Sequence, residues 1–246
     1  MKGHWQAFLC ALQFMTLIPV RLSGLPDAHT QARAVLYYPL AGGLLGALLV
    51  LTAQALSGLP EGVAAALLVA LWAGLTGGLH LDGLADSADG WMGGLGDRER
   101  TLRIMKDPHI GASGALALVV QLLLKWSLVS AMIGGSLLWP LLLAPIVARA
   151  GAQVLLVTTA YVRAGGIASH YIAQVSRQPV LMCVLGVSLL LLLSHPIALL
   201  LAAAVLYLLR RAMIRRLGGM TGDTLGAGIE LLETLILCAF VALPLT

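Results

Sequence analysis

Seven long runs of Leu, Ala, Val and Gly follow one another with only short polar links between them, and nothing else limits this chain's fold so tightly. The runs are 36–57, 61–80, 110–133, 136–160, 179–194, 196–209 and 225–244. About 20 apolar residues cross the hydrocarbon core of a bilayer as a helix. Lipid offers the backbone no hydrogen bonds, so a chain of such segments must cross as helices that satisfy themselves internally. The fifth and sixth runs are short and meet at Ser194-His195-Pro196, which reads as a tight hairpin. Charge agrees: 15 Lys or Arg and 11 Asp or Glu stand in 246 residues, where a soluble domain of that length carries roughly 60 charged residues. The fold class expected is all-α, a polytopic integral membrane protein with about seven transmembrane helices forming one membrane-embedded catalytic domain over 1–246. A disordered chain, a disulfide scaffold, a coiled coil and an ordinary water-soluble enzyme are excluded.

Segment 4–20 differs from the seven. Gln6, Gln13 and Thr16 interrupt it and Pro19 ends it. One leading Lys and no small-residue cleavage site argue against a secretory signal, so it reads as an interfacial or partly buried helix. The basic residues give the topology. Lys2, Arg21 and Arg33 precede the first span. Arg98, Arg100, Arg103 and Lys106 lie in an acidic-basic loop at 81–109, Arg163 and Arg177 in 161–178, and Arg210, Arg211, Arg215 and Arg216 in 210–224. The alternate links carry none. Positive residues stay on the cytoplasmic side, which places the N-terminus on that side of the membrane and the C-terminus on the other. The net charge of +4 thus reports topology, not nucleic-acid binding. Cys10, Cys183 and Cys238 stand alone in apolar runs and read as packing residues.

Apart from Asp27 and Glu61, the acidic residues fall in 82–107 and 223–233. Asp82, Asp86 and Asp89 are spaced i, i+4, i+7, which puts them within an arc of about 60° on one helical face. Like charges that close repel unless a cation sits among them, and Mg²⁺ takes one or two carboxylates together with substrate phosphates. The second motif, 218–233, opens a helix with Gly218-Gly219-Met220-Thr221-Gly222-Asp223-Thr224 and carries Glu230 and Glu233 beyond it. Its backbone N–H groups suit a phosphate, and Asp223 or Thr224 equally suits a plain helix cap. Four spans separate the motifs, so both emerge on one side.

These residues make the candidate site. Asp82, Asp86 and Asp89 are the catalytic candidates and, with Asp223 and Glu230, the metal ligands; Asp89 is the candidate base. Arg98, Arg103, Lys106, Thr221 and Gly222 are candidates for holding substrate phosphate, the basic ones suiting anionic lipid headgroups as well. His80, Asp107 and His109 border the site, in structural or catalytic roles. Lys125 and Arg149 lie inside spans, where charge is costly; either they act in function or they pair with Glu230 or Glu233. Carboxylates for metal and cations for phosphate are the recurring parts of phosphoryl transfer.

The stretch Gly77-Gly78-Leu79-His80-Leu81-Asp82-Gly83-Leu84-Ala85-Asp86, continued by Asp89-Gly90, resembles the signature of the cobalamin synthase family, the adenosylcobinamide-GDP ribazoletransferases. Ile104-Met105-Lys106-Asp107 with Ile110-Gly111, Thr221 to Ala227 with Glu230, and Pro39-Leu40-Ala41-Gly42 are similar to further stretches of that family. The resemblance implies a Mg²⁺-dependent enzyme of the bacterial inner membrane. A ribose hydroxyl of alpha-ribazole, or of its 5′-phosphate, attacks the cobinamide-side phosphate of adenosylcobinamide-GDP, and GMP leaves. Pro108-His109 departs from the Ser-Arg expected there, and Ser113 from the histidine or aromatic of some members, so no arginine at 109 is available to hold phosphate. The number of subunits stays open, a homo-oligomer included.

Two other classes are weighed against this. A cation-coupled transporter places its acidic sites near the bilayer midplane on broken helices, whereas these motifs lie at the ends of apolar runs. A CDP-alcohol phosphotransferase needs an Ala-Arg pair soon after its first Asp-Gly, and the residues after Asp82-Gly83 lack it. An intramembrane aspartyl protease needs two lone facing aspartates, not a triad with basic neighbours.

Overall fold

The computed structural model describes residues 2–22, 24–163, 165 and 167–243, and the predicted end of the last span at Pro244 lies outside them. Helices α3 (Tyr38–Ala55), α7 (Ala112–Gly134), α8 (Trp139–Thr158), α9 (Arg177–Ser194), α10 (Pro196–Leu217) and α11 (Gly222–Ala242) are long and apolar enough to cross a membrane. α4 (Glu61–Leu75) passes only together with α5 (Leu79–Gly93), to which it is joined by a sharp bend, and the number of crossings reaches seven when that pair is counted as one. The chain is an all-helical, polytopic membrane protein. Among the described residues only an isolated β-bridge, Tyr161 with Met220, breaks the helical pattern.

α8 and α11 form the centre, with 78% and 72% of their apolar windows buried, against 11% and 17% for α9 and α10. α3 meets α8 almost backbone to backbone. A Cβ on Gly46 would lie 2.7 Å from Leu142 Cα, and one on Gly42 would run into the Pro145 carbonyl. In lipid, where no hydrophobic drive joins helices, such small residues permit the close approach that packing needs.

The core also contains charge. Lys125 on α7 reaches Glu230 and Glu233 on α11, each at 2.7 Å, and Arg149 on α8 reaches Glu233 at 2.6 Å. Gln121 adds hydrogen bonds to the Glu230 carboxylate and to Thr234, at 2.9 and 2.8 Å, and the Lys125 ammonium lies over the Trp72 ring at 4.4 Å. All four charged side chains are buried. Two cations and two carboxylates cancel, so the desolvation of each is offset by its neighbours. Of the two readings for Lys125 and Arg149, the structure has the pairing one.

The alternating topology is visible in the contacts. Glu61 packs on Gly134, and His195 Nε2 lies 2.9 Å from the Leu243 carbonyl with Phe240 against both His195 and Trp139. These join the three short hairpins and the end of α11 at one end. At the other, the Leu17 N–H donates to the Leu75 carbonyl at 2.7 Å, and Arg98 Nε to the Leu217 carbonyl at 2.6 Å. The segment predicted over 4–20 is helical over Lys2–Met15 (α1), with Ala7, Ala11, Leu12 and Met15 buried and Trp5 exposed. It is partly buried.

Two expected loops are helical. The 81–109 connection is α5 followed by α6 (Arg98–Ile104), and the basic run from Arg210 is the last two turns of α10. Long arginine side chains let an apolar helix continue past the bilayer's edge by reaching neighbouring carbonyls: Arg210 donates to the Thr158 carbonyl, and Arg216 to the Trp91 carbonyl and Thr101. The second run, expected to 80, stops at Leu75. Gly77 and Gly78 stand at φ +63° and +67° and turn the chain through 87°. Only glycine takes two successive left-handed steps without strain, and the corner lays α5 across the end of the bundle, outside the spanning segments.

Candidate active site

α5 buries Gly83, Leu84, Ala85 and Gly90 and turns Asp82, Asp86 and Asp89 to its other side, as the spacing predicts. It crosses the start of α11 at glycines: a Cβ on Gly83 would stand 2.6 Å from the Asp223 carbonyl, and one on Gly226 3.2 Å from His80 Cα. This crossing places the second acidic motif against the first. Burial, together with the charges of Asp82 and Asp223, pushes the Asp86 carboxyl up from 3.8 to about 6. A neutral carboxyl at that position relieves repulsion that a bound cation would relieve instead.

At the start of α11, Thr221 is the N-cap, and it forms a reciprocal capping box with Thr224. Its hydroxyl accepts the Thr224 N–H at 3.2 Å and donates to the Asp223 carboxylate at 3.4 Å, so it serves as a cap with its proton already engaged. Gly222 beside it is exposed. Asp223 takes a forked contact from Arg163 Nη1, at 2.8 and 2.6 Å. Arg163 is held there because the Val162 N–H donates to the Met220 carbonyl at 2.9 Å and the Met220 N–H to the Ala160 carbonyl at 2.8 Å. The sequence offered no sign of this role beyond one more basic residue at the end of a span on the same side.

A cavity of about 360 Å³ opens beside these groups, between α1, α5, α8, α11 and the 159–176 connection. Asp82, Arg163, Gly222 and Asp223 stand on its wall, and so does His80, which is 3% exposed.

Several candidates lie elsewhere. Both oxygens of Asp89 accept backbone N–H groups at the head of α7, from Gly111 at 2.7 Å and Gly114 at 2.8 Å. Capping four otherwise orphaned N–H groups is a structural task, so Asp89 holds α7 to α5 and is not poised as the base. Glu230 sits in the buried charge group with Lys125, away from the acidic face, so it is not offered as a ligand. Arg98 caps the end of α10, while Arg103 and Lys106 are exposed on and just after α6. Asp107 and His109 pair with each other at 2.7 Å on the surface, and the His109 backbone and ring N–H groups hold the Asp107 carboxyl below its usual range.

Among the described residues, no three His, Cys, Asp or Glu side chains converge as a closed metal site. Mg²⁺ would need only one or two carboxylates, with waters and phosphate oxygens in its other positions. Asp82, exposed, and Asp86, half-buried and repelled by its neighbours, fit such a donor set, with Asp223 adjoining.

Comparisons with known proteins point to one family. Residues 7–241 match the family described as cobalamin-5-phosphate synthase. A Pseudomonas paraeruginosa protein named adenosylcobinamide-GDP ribazoletransferase is 49% identical over 243 residues, covering 97% of this chain and 99% of its own length. Proteins of the same name from Pseudomonas fluorescens, at 49% over 94% of this chain and 96% of theirs, and from Stutzerimonas stutzeri, at 48% over 93% and 95%, are similar throughout. No solved structure matches the chain. With residues 7–241 matched and relatives about half identical over nearly the whole length, the chain belongs to the cobalamin-5-phosphate synthase family.

Proposed function

We propose that this protein transfers the adenosylcobinamide phosphate group of adenosylcobinamide-GDP to alpha-ribazole or its 5′-phosphate, releasing GMP, with Mg²⁺ as cofactor. The family's description, cobalamin-5-phosphate synthase, favours the phosphorylated acceptor. The acceptor's ribose hydroxyl oxygen bonds to the cobinamide-side phosphorus, the bond from that phosphorus to the bridging oxygen breaks, and the hydroxyl proton departs. The observation that carries the reading is the crossing of α5 and α11, which brings Asp82, Asp86 and Asp223 to one end of the bundle beside a cavity. Asp82 and Asp86 would hold the metal, with Asp223 adjoining; when bound, Mg²⁺ neutralises charge on the pyrophosphate. Arg163, already forked onto Asp223, is placed to meet phosphate oxygens as well. A coupling-ion site, as in a transporter, finds no free carboxylate in the core among the described residues, because Glu230 and Glu233 are neutralised by Lys125 and Arg149. The test is GMP release by purified protein, which should need both the acceptor and a divalent metal. Release that persists in a chelator overturns the metal, and release without acceptor overturns the transfer.

Gly83→Ala checks the crossing. A methyl group 2.6 Å from the Asp223 carbonyl overpacks the contact by about 1–3 kcal/mol and lifts α5 off α11. GMP release should fall at least about tenfold with helical content retained, since a small misplacement of reacting groups costs about that or more. Normal turnover would show that the two motifs work apart.

We further infer that the site end faces the cytoplasm of a bacterium, in its inner membrane, from the basic residues gathered at that end. In a background with Cys10, Cys183 and Cys238 replaced, single cysteines at Glu99 and Gly222 should react with a membrane-impermeant reagent from the cytoplasmic face alone. One at Ser57 should react from the opposite face alone. Labelling of 99 and 222 from different faces would break the shared site.

A further inference from the structure

Between α8, α9 and α10 the spans leave a groove of about 510 Å³. Its wall is buried at Gly151 and Leu155 on α8, at Leu191 on α9 and at Ala202 on α10. Ala203 and Tyr207 on α10 are exposed, so the groove is open on its outer side. Protein interiors pack like organic crystals and leave few voids larger than a water molecule. Water is a poor filling here, because a buried water needs two to four polar partners. Apart from Ser188 the deeper wall is apolar, and Thr158, Tyr207 and Arg210 lie together at one end. In a membrane such a groove is filled by what surrounds it.

Length and charge name the filling. The lining on α10 runs from Leu199 to Arg210, roughly 16 Å at about 1.5 Å per residue. That is about half of a hydrocarbon core of about 30 Å, the depth that the chains of one leaflet occupy. Arg210, at the site end, carries the wall's charge. Its Nε and Nη2 donate to the Thr158 carbonyl at 3.2 and 2.9 Å, and no carboxylate pairs with it among the described residues. Tyr207, one turn before it, suits the boundary between hydrocarbon and headgroups, where aromatic rings with a polar tip gather. We propose that this groove binds one anionic glycerophospholipid of the leaflet at the site end, with an acyl chain along α8 and the phosphate on the Arg210 guanidinium. A second copy of the chain fits less well. α9 and α10 contain no Asp or Glu, so their faces would bring Arg210 no carboxylate.

The experiment uses full-length protein in mild detergent, mixed with equal amounts of phosphatidylglycerol and phosphatidylcholine of the same chain length and weighed intact by native mass spectrometry. One retained phosphatidylglycerol per chain is expected, preferred about fivefold over phosphatidylcholine, the effect of one basic residue at a headgroup. Arg210→Gln keeps a donor for the Thr158 carbonyl and removes the charge, so the preference should vanish. Arg210→Lys should keep most of it. Misfolding would lose both lipids alike and cannot abolish a preference between them. Ala203→Phe fills the open side of the groove and should lower retention of both lipids about tenfold, with helical content unchanged. In thermal unfolding, added phosphatidylglycerol should stabilise the wild type more than Arg210→Gln, because a ligand held by the folded state alone raises its stability. Retention that neither Arg210→Gln nor Ala203→Phe alters, or a wild-type chain that retains no lipid, overturns the proposal. So does a dimer that Ala203→Phe converts to a monomer, which would assign the groove to a second copy.

Discussion

Asp82→Asn should lower turnover by roughly 10²–10³-fold, the effect of removing one preorganised electrostatic group from a reacting centre, while the protein melts at an unchanged temperature. Asp82 is exposed and its carboxylate makes no hydrogen bond or ion pair among the described residues, so its negative charge has no structural duty there. Asparagine keeps the shape and removes that charge. Asp86→Asn should behave alike and also relieve the repulsion from Asp82 and Asp223, which adds to burial in raising the Asp86 carboxyl to about 6. Asp89→Asn should not. Its two backbone bonds to Gly111 and Gly114 cap α7, and an amide accepts through one oxygen only, so the expected loss is in stability, of about 1 kcal/mol. GMP release titrated with Mg²⁺, alongside thermal unfolding of each variant, separates the three. Full turnover of Asp82→Asn at limiting Mg²⁺ would remove the acidic face from the chemistry.

The largest loss of stability is expected at Glu233→Gln. Arg149 is fully buried and has its carboxylate partner in Glu233, at 2.6 Å; its other hydrogen bond is to the Pro145 carbonyl at 3.2 Å. Neutralising Glu233 leaves a guanidinium without counter-charge in a membrane interior, and breaking a buried pair from one side costs about 3–5 kcal/mol. Lys125 keeps Glu230 and loses less. Replacing both members, as Arg149→Met with Glu233→Gln, should recover most of the loss, because no bare charge remains. Unfolding in denaturing detergent, followed by helical content, measures the single and double variants. Equal stability for the single variant and wild type would mean that the charge group does not hold α7, α8 and α11 together.

What was legible beforehand follows from short-range rules. Apolar runs of bilayer length gave the spans to within a few residues at most ends, since a helix in lipid has no alternative way to satisfy its backbone. The i, i+4, i+7 spacing put Asp82, Asp86 and Asp89 on one face, since that depends on helical period alone. The cobalamin synthase resemblance was legible too, because it rests on contiguous motifs.

The partners of each charge were not legible. Asp89 and Asp86 share a helix face and a residue type, yet one caps α7 and the other stands unpaired. Glu230 looked like a ligand two turns from Asp223, and a neighbouring helix instead supplies it with Lys125. Arg163 was one cation among many until the 160–162 segment bonded to Met220 and brought it to Asp223. Gly77 and Gly78 read as part of a motif, and their left-handed backbone is what turns α5 across the bundle. Local sequence settles how a segment coils and which face it presents, because those energies arise within a few residues. The fate of each buried or half-buried charge is settled where three or four helices converge, because desolvation makes a carboxylate take whichever donor the packing brings within about 3 Å.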